Sequence, residues 1–182
     1  MEKLNLDSIW TKCVAGDRKA QFQLYQQFSS QMFTVCLRYA QHHDEAEDIL
    51  QMGFIKVFSK CTLFDNKGSL EGWIRRIMVN TAIEIHRRNK KNFFESLAER
   101  HEVIPANTNQ QDGNLHYQDL MKLVHSLPLG YRTVFNMYAI EGYSHKEIAE
   151  MLSISEGNSK SQLSRARQWL KDKLVQLEKQ LL

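Results

Sequence analysis

The chain has 182 residues, 42% hydrophobic and 25% charged, enough apolar material for one core or two small ones. A net charge of only +3 excludes a uniformly basic surface, so any polyanion contact depends on where the charge lies. No apolar run approaches the ~20 residues that span a bilayer. The N-terminus "MEKLNLDSIW" has acids and no continuous apolar segment, so it is no signal peptide and the chain reads as cytoplasmic, with no membrane insertion.

Two prolines, eight glycines and the lack of any period-2 pattern leave helical periodicity dominant, and the fold class reads as all-α. Phe22, Tyr25, Phe28, Met32, Cys36 and Tyr39 recur at three- and four-residue steps and mark a first helix. Ala46, Ile49, Leu50, Phe54, Val57 and Phe58 mark a second. On that helix Asp44, Glu47, Asp48 and Gln51 fall at i, i+3, i+4 and i+7, one acidic face opposite the apolar one. Such a face repels DNA; by itself it fits solvent slightly better than a dock for a basic protein surface. Cys13, Cys36 and Cys61 lack CxxC spacing, which argues against disulfides and a zinc site; they fit buried thiols.

A turn follows at "DNKGS", Asp65 to Ser69, and a third helix runs from about Leu70 to Arg88. Ser69, Trp73, Arg76, Asn80, Ile83 and Arg87 form one stripe beside an expected core stripe of Leu70, Ile74, Ile77, Thr81 and Ile85. Interleaved aromatic, amide and guanidinium groups suit single-stranded nucleic acid, with bases on rings and phosphates on arginine. Trp73 as an edge of the core is an equally good reading of the stripe alone. Arg87, Arg88, Lys90 and Lys91 form a basic cluster at the end of this helix. "IPANTNQQDGN", Ile104 to Asn114, has no apolar face, and periodicity returns at His116. The expected organisation is two small helical domains, 1–92 and 116–182, joined by a flexible linker, 93–115.

In the second domain Ser144 and Glu147 make a capping box that opens a short helix through Ile148, Ala149 and Leu152. "SIS", Ser153 to Ser155, is a tight turn, with Ser155 placed to cap the next helix. Short helix, turn and long basic helix describe a helix-turn-helix. On the long helix Leu163, Ala166, Leu170, Leu174 and Leu177 share the expected core face, with Ser159 also pointing inward. Gly157, Ser161, Ser164, Arg165 and Gln168 lie opposite, and Lys160, Arg167 and Lys171 lie along one flank. Small residues permit close approach to a major groove, Ser, Gln and Arg reach base edges, and cations meet phosphates.

"AEDILQMGFIKVF", "LEGWIRRIMVNTAIEIHRR" and "SLPLGYRTVFNMYAIEGYSHKEIAEMLSISEGNSKSQLSRAR", in this order, resemble the extracytoplasmic-function sigma factors over nearly the whole chain. The resemblance implies a non-enzymatic subunit without a cofactor. It implies that Asp44, Glu47, Asp48 and Gln51 engage the β′ clamp helices of core RNA polymerase, which also contacts the chain through its β flap. It implies that Phe64, Asn66, Lys67, Ser69, Trp73, Arg76, Asn80 and Arg87 read and melt the minus-ten element. Lys160, Ser161, Gln162, Ser164, Arg165 and Arg167 then meet the minus-thirty-five duplex, and an anti-sigma factor covers these faces. Three departures stand out. Asn158-Ser159 replaces the frequent Thr-Val, Gln162 replaces a frequent basic residue, and Gln51-Met52 replaces Gln-Glu.

A helix-turn-helix regulator independent of polymerase is the competing function; it predicts a dimer and leaves the Trp73 stripe and the acidic face without a role. A nucleic-acid enzyme needs clustered carboxylates or metal ligands, and the seven histidines are dispersed.

Overall fold

The computed structural model describes residues 6–88 and 115–180, and every element among them is helical. Residues 93–114 of the expected linker, with Lys90 and Lys91, lie outside the described residues; Leu115 already opens a helix. The chain folds as two units, Met1–Glu84 and Ile85–Leu182, dividing within the last turns of a helix.

The first unit holds α1 (Leu6–Val14), α2 (Arg18–Tyr39), α3 (His43–Ser59), a 3₁₀ turn (Cys61–Leu63) and α4 (Leu70–Arg88) up to Glu84. The short α1 is amphipathic, with Ile9, Trp10 and Cys13 buried on one face. It stops at Gly16, whose φ of 84° lies in the left-handed region that glycine enters without strain. Asp17 then caps α2, accepting the Lys19 and Ala20 N–H groups at 2.7 and 3.2 Å. Those bonds, Ala20's first, hold the Asp17 carboxyl below its usual range.

Leu24, Phe28, Met32, Val35, Cys36 and Tyr39 of α2 pack with Ala46, Ile49, Leu50, Phe54 and Val57 of α3. Phe22, expected on this stripe, is 60% exposed, and Leu24 fills the core position on that turn. On α4 the expected core stripe is displaced. Met78, Val79, Ala82 and Ile83 are buried with Ile74 and Thr81, whereas Ile77 and Ile85 are partly exposed. The cause is that α4 has neighbours on several sides. Trp73 meets Trp10 of α1, Glu71 accepts from Gln31 of α2 at 2.6 Å, and Glu84 binds Lys56 of α3 at 2.7 Å. Gly53 makes the closest approach: a Cβ there would run into the Met78 sulfur.

The second unit holds α5 (Leu115–His125), α6 (Leu129–Phe135) running into a wider π turn (Asn136–Ile140), α7 (His145–Leu152) and α8 (Glu156–Gln180). Met121, Val124 and Leu127 pack against Ala166 and Leu170. Leu174 and Leu177, expected in the core, are 47% and 48% exposed. The helix keeps its apolar period there, but it no longer has enough neighbouring surface to cover it.

Candidate nucleic-acid and protein interfaces

The acidic block at the start of α3 is sorted by the helix. His42 caps it, its Nδ1 accepting the Glu45 N–H at 3.2 Å, and the buried Glu45 carboxylate turns back to accept the Gln41 N–H at 2.6 Å. Glu45 and Ala46 therefore point inward, while Asp44, Glu47, Asp48 and Gln51 are all exposed on one face. Acids in the first turn also complement the positive end of the helix dipole. A groove of about 450 Å³ between α2 and α3 borders this face, with Tyr25, Phe33, His43, Glu47, Leu50 and Gln51 among its lining. Ile55, 67% exposed, extends the Asp48–Gln51 line by one turn. Sequence reasoning missed Ile55 and the groove, because an exposed isoleucine and a space between helices leave no mark in periodicity.

The loop before α4 is held by its own side chains. Asp65 accepts the Lys67 N–H at 3.1 Å and pairs with the Lys67 ammonium at 3.3 Å. Asn66 has φ of 58°, a left-handed conformation that Asn tolerates better than most residues. The Ser69 hydroxyl accepts the Gly72 N–H at 3.0 Å, so this candidate base reader caps the helix. Trp73 is half-buried, its ring 5.6 Å from both Trp10 and Phe64, with Trp10 and Phe64 5.7 Å apart. Core edge and candidate nucleic-acid stripe thus meet in one residue. Arg76, Asn80 and Arg87 follow along α4, exposed or half-exposed, whereas Ile83, 3% exposed, leaves the stripe. Trp10 is the residue the sequence did not flag.

In the helix-turn-helix the Ser144 hydroxyl accepts the Glu147 N–H at 3.2 Å and the Glu147 carboxylate accepts the Ser144 N–H at 2.8 Å, completing the capping box. Ser153 takes φ of 55° and Ser155 caps α8, accepting the Asn158 N–H at 3.1 Å. Lys160, Ser161, Ser164, Arg165 and Arg167 are exposed on α8. Lys160 is bound by Glu156 at 2.7 Å, and that hydrogen bond lowers the Glu156 pKa. Gln162 does not belong with the exposed set. It is 6% exposed, because 159, 162, 163, 166 and 170 form the inward i, i+3, i+4, i+7, i+11 arc, and its amide donates to Asn158 at 3.2 Å. Ser159, inward as expected, is fully buried and bonds His145 Nδ1 at 2.9 Å. Arg167 lies over the Tyr138 ring, 5.8 Å from its centroid.

Two family descriptions match this arrangement: Sigma-70 region 2 over residues 24–92 and Sigma-70 region 4 over 117–170. The chain is 30% identical over 157 residues to the ECF RNA polymerase sigma factor SigE of Mycolicibacterium smegmatis, covering 84% of this chain and 61% of that one. It is 24% identical over 195 residues to the ECF RNA polymerase sigma-E factor of Haemophilus influenzae, covering 97% of this chain and 98% of the relative. The chain belongs to the extracytoplasmic-function sigma factors. Among solved structures, this sigma factor is similar to RpoE in complex with the anti-sigma factor NepR from Bartonella quintana. The TM-score is 0.55 at 25% identity, over 84% of this chain and 94% of that one. In the sigma factor's own numbering, region 2 spans α2 to α4 and region 4 holds the helix-turn-helix. No helix among the described residues is long and apolar enough to cross a membrane.

Proposed function

We propose that this sigma factor acts as an alternative specificity subunit. It binds core RNA polymerase through the acidic face of α3, opens the minus-ten element with α4 and its preceding loop, and reads the minus-thirty-five element with α8. One observation carries the reading: a single chain pairs an exposed acidic face, which cannot be a DNA surface, with a helix-turn-helix whose outer face is small, polar and cationic. A regulator acting alone has no use for the first. Asp44, Glu47, Asp48 and Gln51 meet the β′ clamp helices, and region 4 meets the β flap. Phe64, Asn66, Lys67 and Ser69 frame the pocket for an unstacked base, Trp73 supports it, and Arg76, Asn80 and Arg87 track the backbone. Lys160, Ser161, Ser164, Arg165 and Arg167 meet the duplex, with Gln162 acting from behind by holding Asn158.

The chain itself performs no catalysis; bond formation belongs to the polymerase, in the cytoplasm. An anti-sigma factor covering these faces is the natural regulator, as the complex of the Bartonella quintana relative suggests. The deciding experiment mixes the purified chain with core RNA polymerase and promoter templates. Co-elution and promoter-specific run-off transcripts are expected; their absence overturns the proposal.

A further inference from the structure

A cavity of about 330 Å³ opens between the start of α7 and the flank of α8. His145, Lys160, Ser164, Arg167 and Lys171 line it, with no carboxylate among the described residues of its lining. The neighbouring acids are already engaged: Glu156 binds Lys160 at 2.7 Å, and Asp172 accepts from Gln168 at 2.8 Å. His145 is the first residue of α7, where backbone N–H groups lack helical partners and the dipole is positive. Its ring is stacked on Tyr138, with centroids 4.6 Å apart and planes 22° from parallel, and the same Tyr138 ring carries Arg167 at 5.8 Å. Ser159, buried behind, fixes the imidazole through Nδ1 at 2.9 Å. When Nδ1 accepts the serine hydroxyl, Nε2 holds the ring proton and is a donor on this cavity-lining side chain.

We propose that this cavity seats one backbone phosphate of the duplex bound by region 4, with His145 as a donor positioned by Ser159 and with Arg167 and Lys171 supplying charge. The proposal rests on the sigma-factor reading and adds His145, Ser159 and Tyr138 to the flank cations Lys160, Arg167 and Lys171. The register supports DNA as the source of the anion. Lys160, Ser164, Arg167 and Lys171 recur at i, i+4, i+7 and i+11, so the cavity runs along the edge of the face bearing Ser161 and Arg165. A phosphate held there fixes the register of the duplex against the base-reading residues without carrying sequence information.

The test uses the full chain bound to core polymerase, on a promoter duplex from the initiation assay, with affinity measured across a salt series. Lys171→Gln is expected to weaken binding by a similar factor on all sequences and to reduce the slope of log affinity against log salt by about 1. His145→Gln is expected to weaken binding several-fold. The double variant should lose no more slope than Lys171→Gln, because both groups address one phosphate. Ser159→Val fills the buried site but removes the partner of Nδ1, and is expected to reproduce the His145→Gln loss in part. Lys173→Gln, whose ammonium lies over Trp169 outside the cavity, is the control expected to change nothing. Unchanged slopes in Lys171→Gln and its double variant, with wild-type binding intact, overturn the phosphate seat and leave the sigma-factor reading standing. A loss that depends on base sequence also overturns it. Failure of the wild-type chain to direct initiation overturns the underlying reading instead. If His145→Gln fails to fold, the exposed Lys171 variant still decides.

Discussion

Trp73 packs at the core edge and is proposed to support an unstacked base, and Trp73→Ala separates the two only if its structural cost is known. The ring is half-buried and meets Trp10 and Phe64 at 5.6 Å each. Truncating a fully buried tryptophan costs about 3–5 kcal/mol, so half-burial puts this change near ~2 kcal/mol. A unit at the low end of ordinary stability, about 5 kcal/mol, then keeps about 3 kcal/mol and stays more than about 99% folded. Unfolding therefore cannot explain a large functional loss. Base stacking is worth about 1–3 kcal/mol, so loss of a stacking surface should slow promoter opening roughly 5- to 150-fold. The control is Trp10→Leu, which trims the adjacent ring, itself 8% exposed, at a similar ~2 kcal/mol without removing Trp73. Denaturant melts give the two stabilities, and opening by holoenzyme is followed on duplex and on pre-melted templates. Trp73→Ala should impair opening on duplex much more than on the bubble, and Trp10→Leu should affect both mildly. Equal loss on both templates, or an equal loss from Trp10→Leu, refutes the stacking role.

Other expectations follow from particular contacts. Asp48→Lys reverses charge on an exposed position; it should change stability by no more than about 0.5 kcal/mol while abolishing co-elution with core polymerase. Gly53→Ala drives a methyl into the Met78 sulfur between α3 and α4 and should cost about 1–3 kcal/mol, with Met78→Ala relieving part of it in a double-mutant cycle. Burial pushes the Cys36 thiol from 9.0 up to about 12, and burial with the neighbouring Cys61 pushes Cys13 up to about 11. Both folded pKa values exceed the unfolded ones, so above about pH 9 the unfolded chain ionises first and binds fewer protons. Their contribution to stability is intact below pH 9 and is lost as pH rises toward 11 and 12. The unfolding free energy should fall between about pH 9 and 10.5, by up to about 1.4 kcal/mol per pH unit for Cys36, and less steeply in Cys36→Ala.

Local chemistry made much of this molecule legible in sequence. The capping box at Ser144 and Glu147, the Ser155 cap and the start of α4 depend on residues within four positions of one another, so spacing alone determined them. The acidic face at Asp44, Glu47, Asp48 and Gln51 was equally legible, because helical geometry puts those positions together whatever surrounds them. Only the tertiary structure decided which parts of an apolar stripe are covered. Phe22, Leu174 and Leu177 keep the period yet face outward, while Gln162 is covered on the inward arc of α8 and Ile83 turns in because neighbours wrap more than one side of α4. Only the fold brought Trp10 to Trp73 and His145 to Ser159, pairs on different helices. Periodicity fixes a side chain's angle around its own helix; what lies at that angle is set by packing.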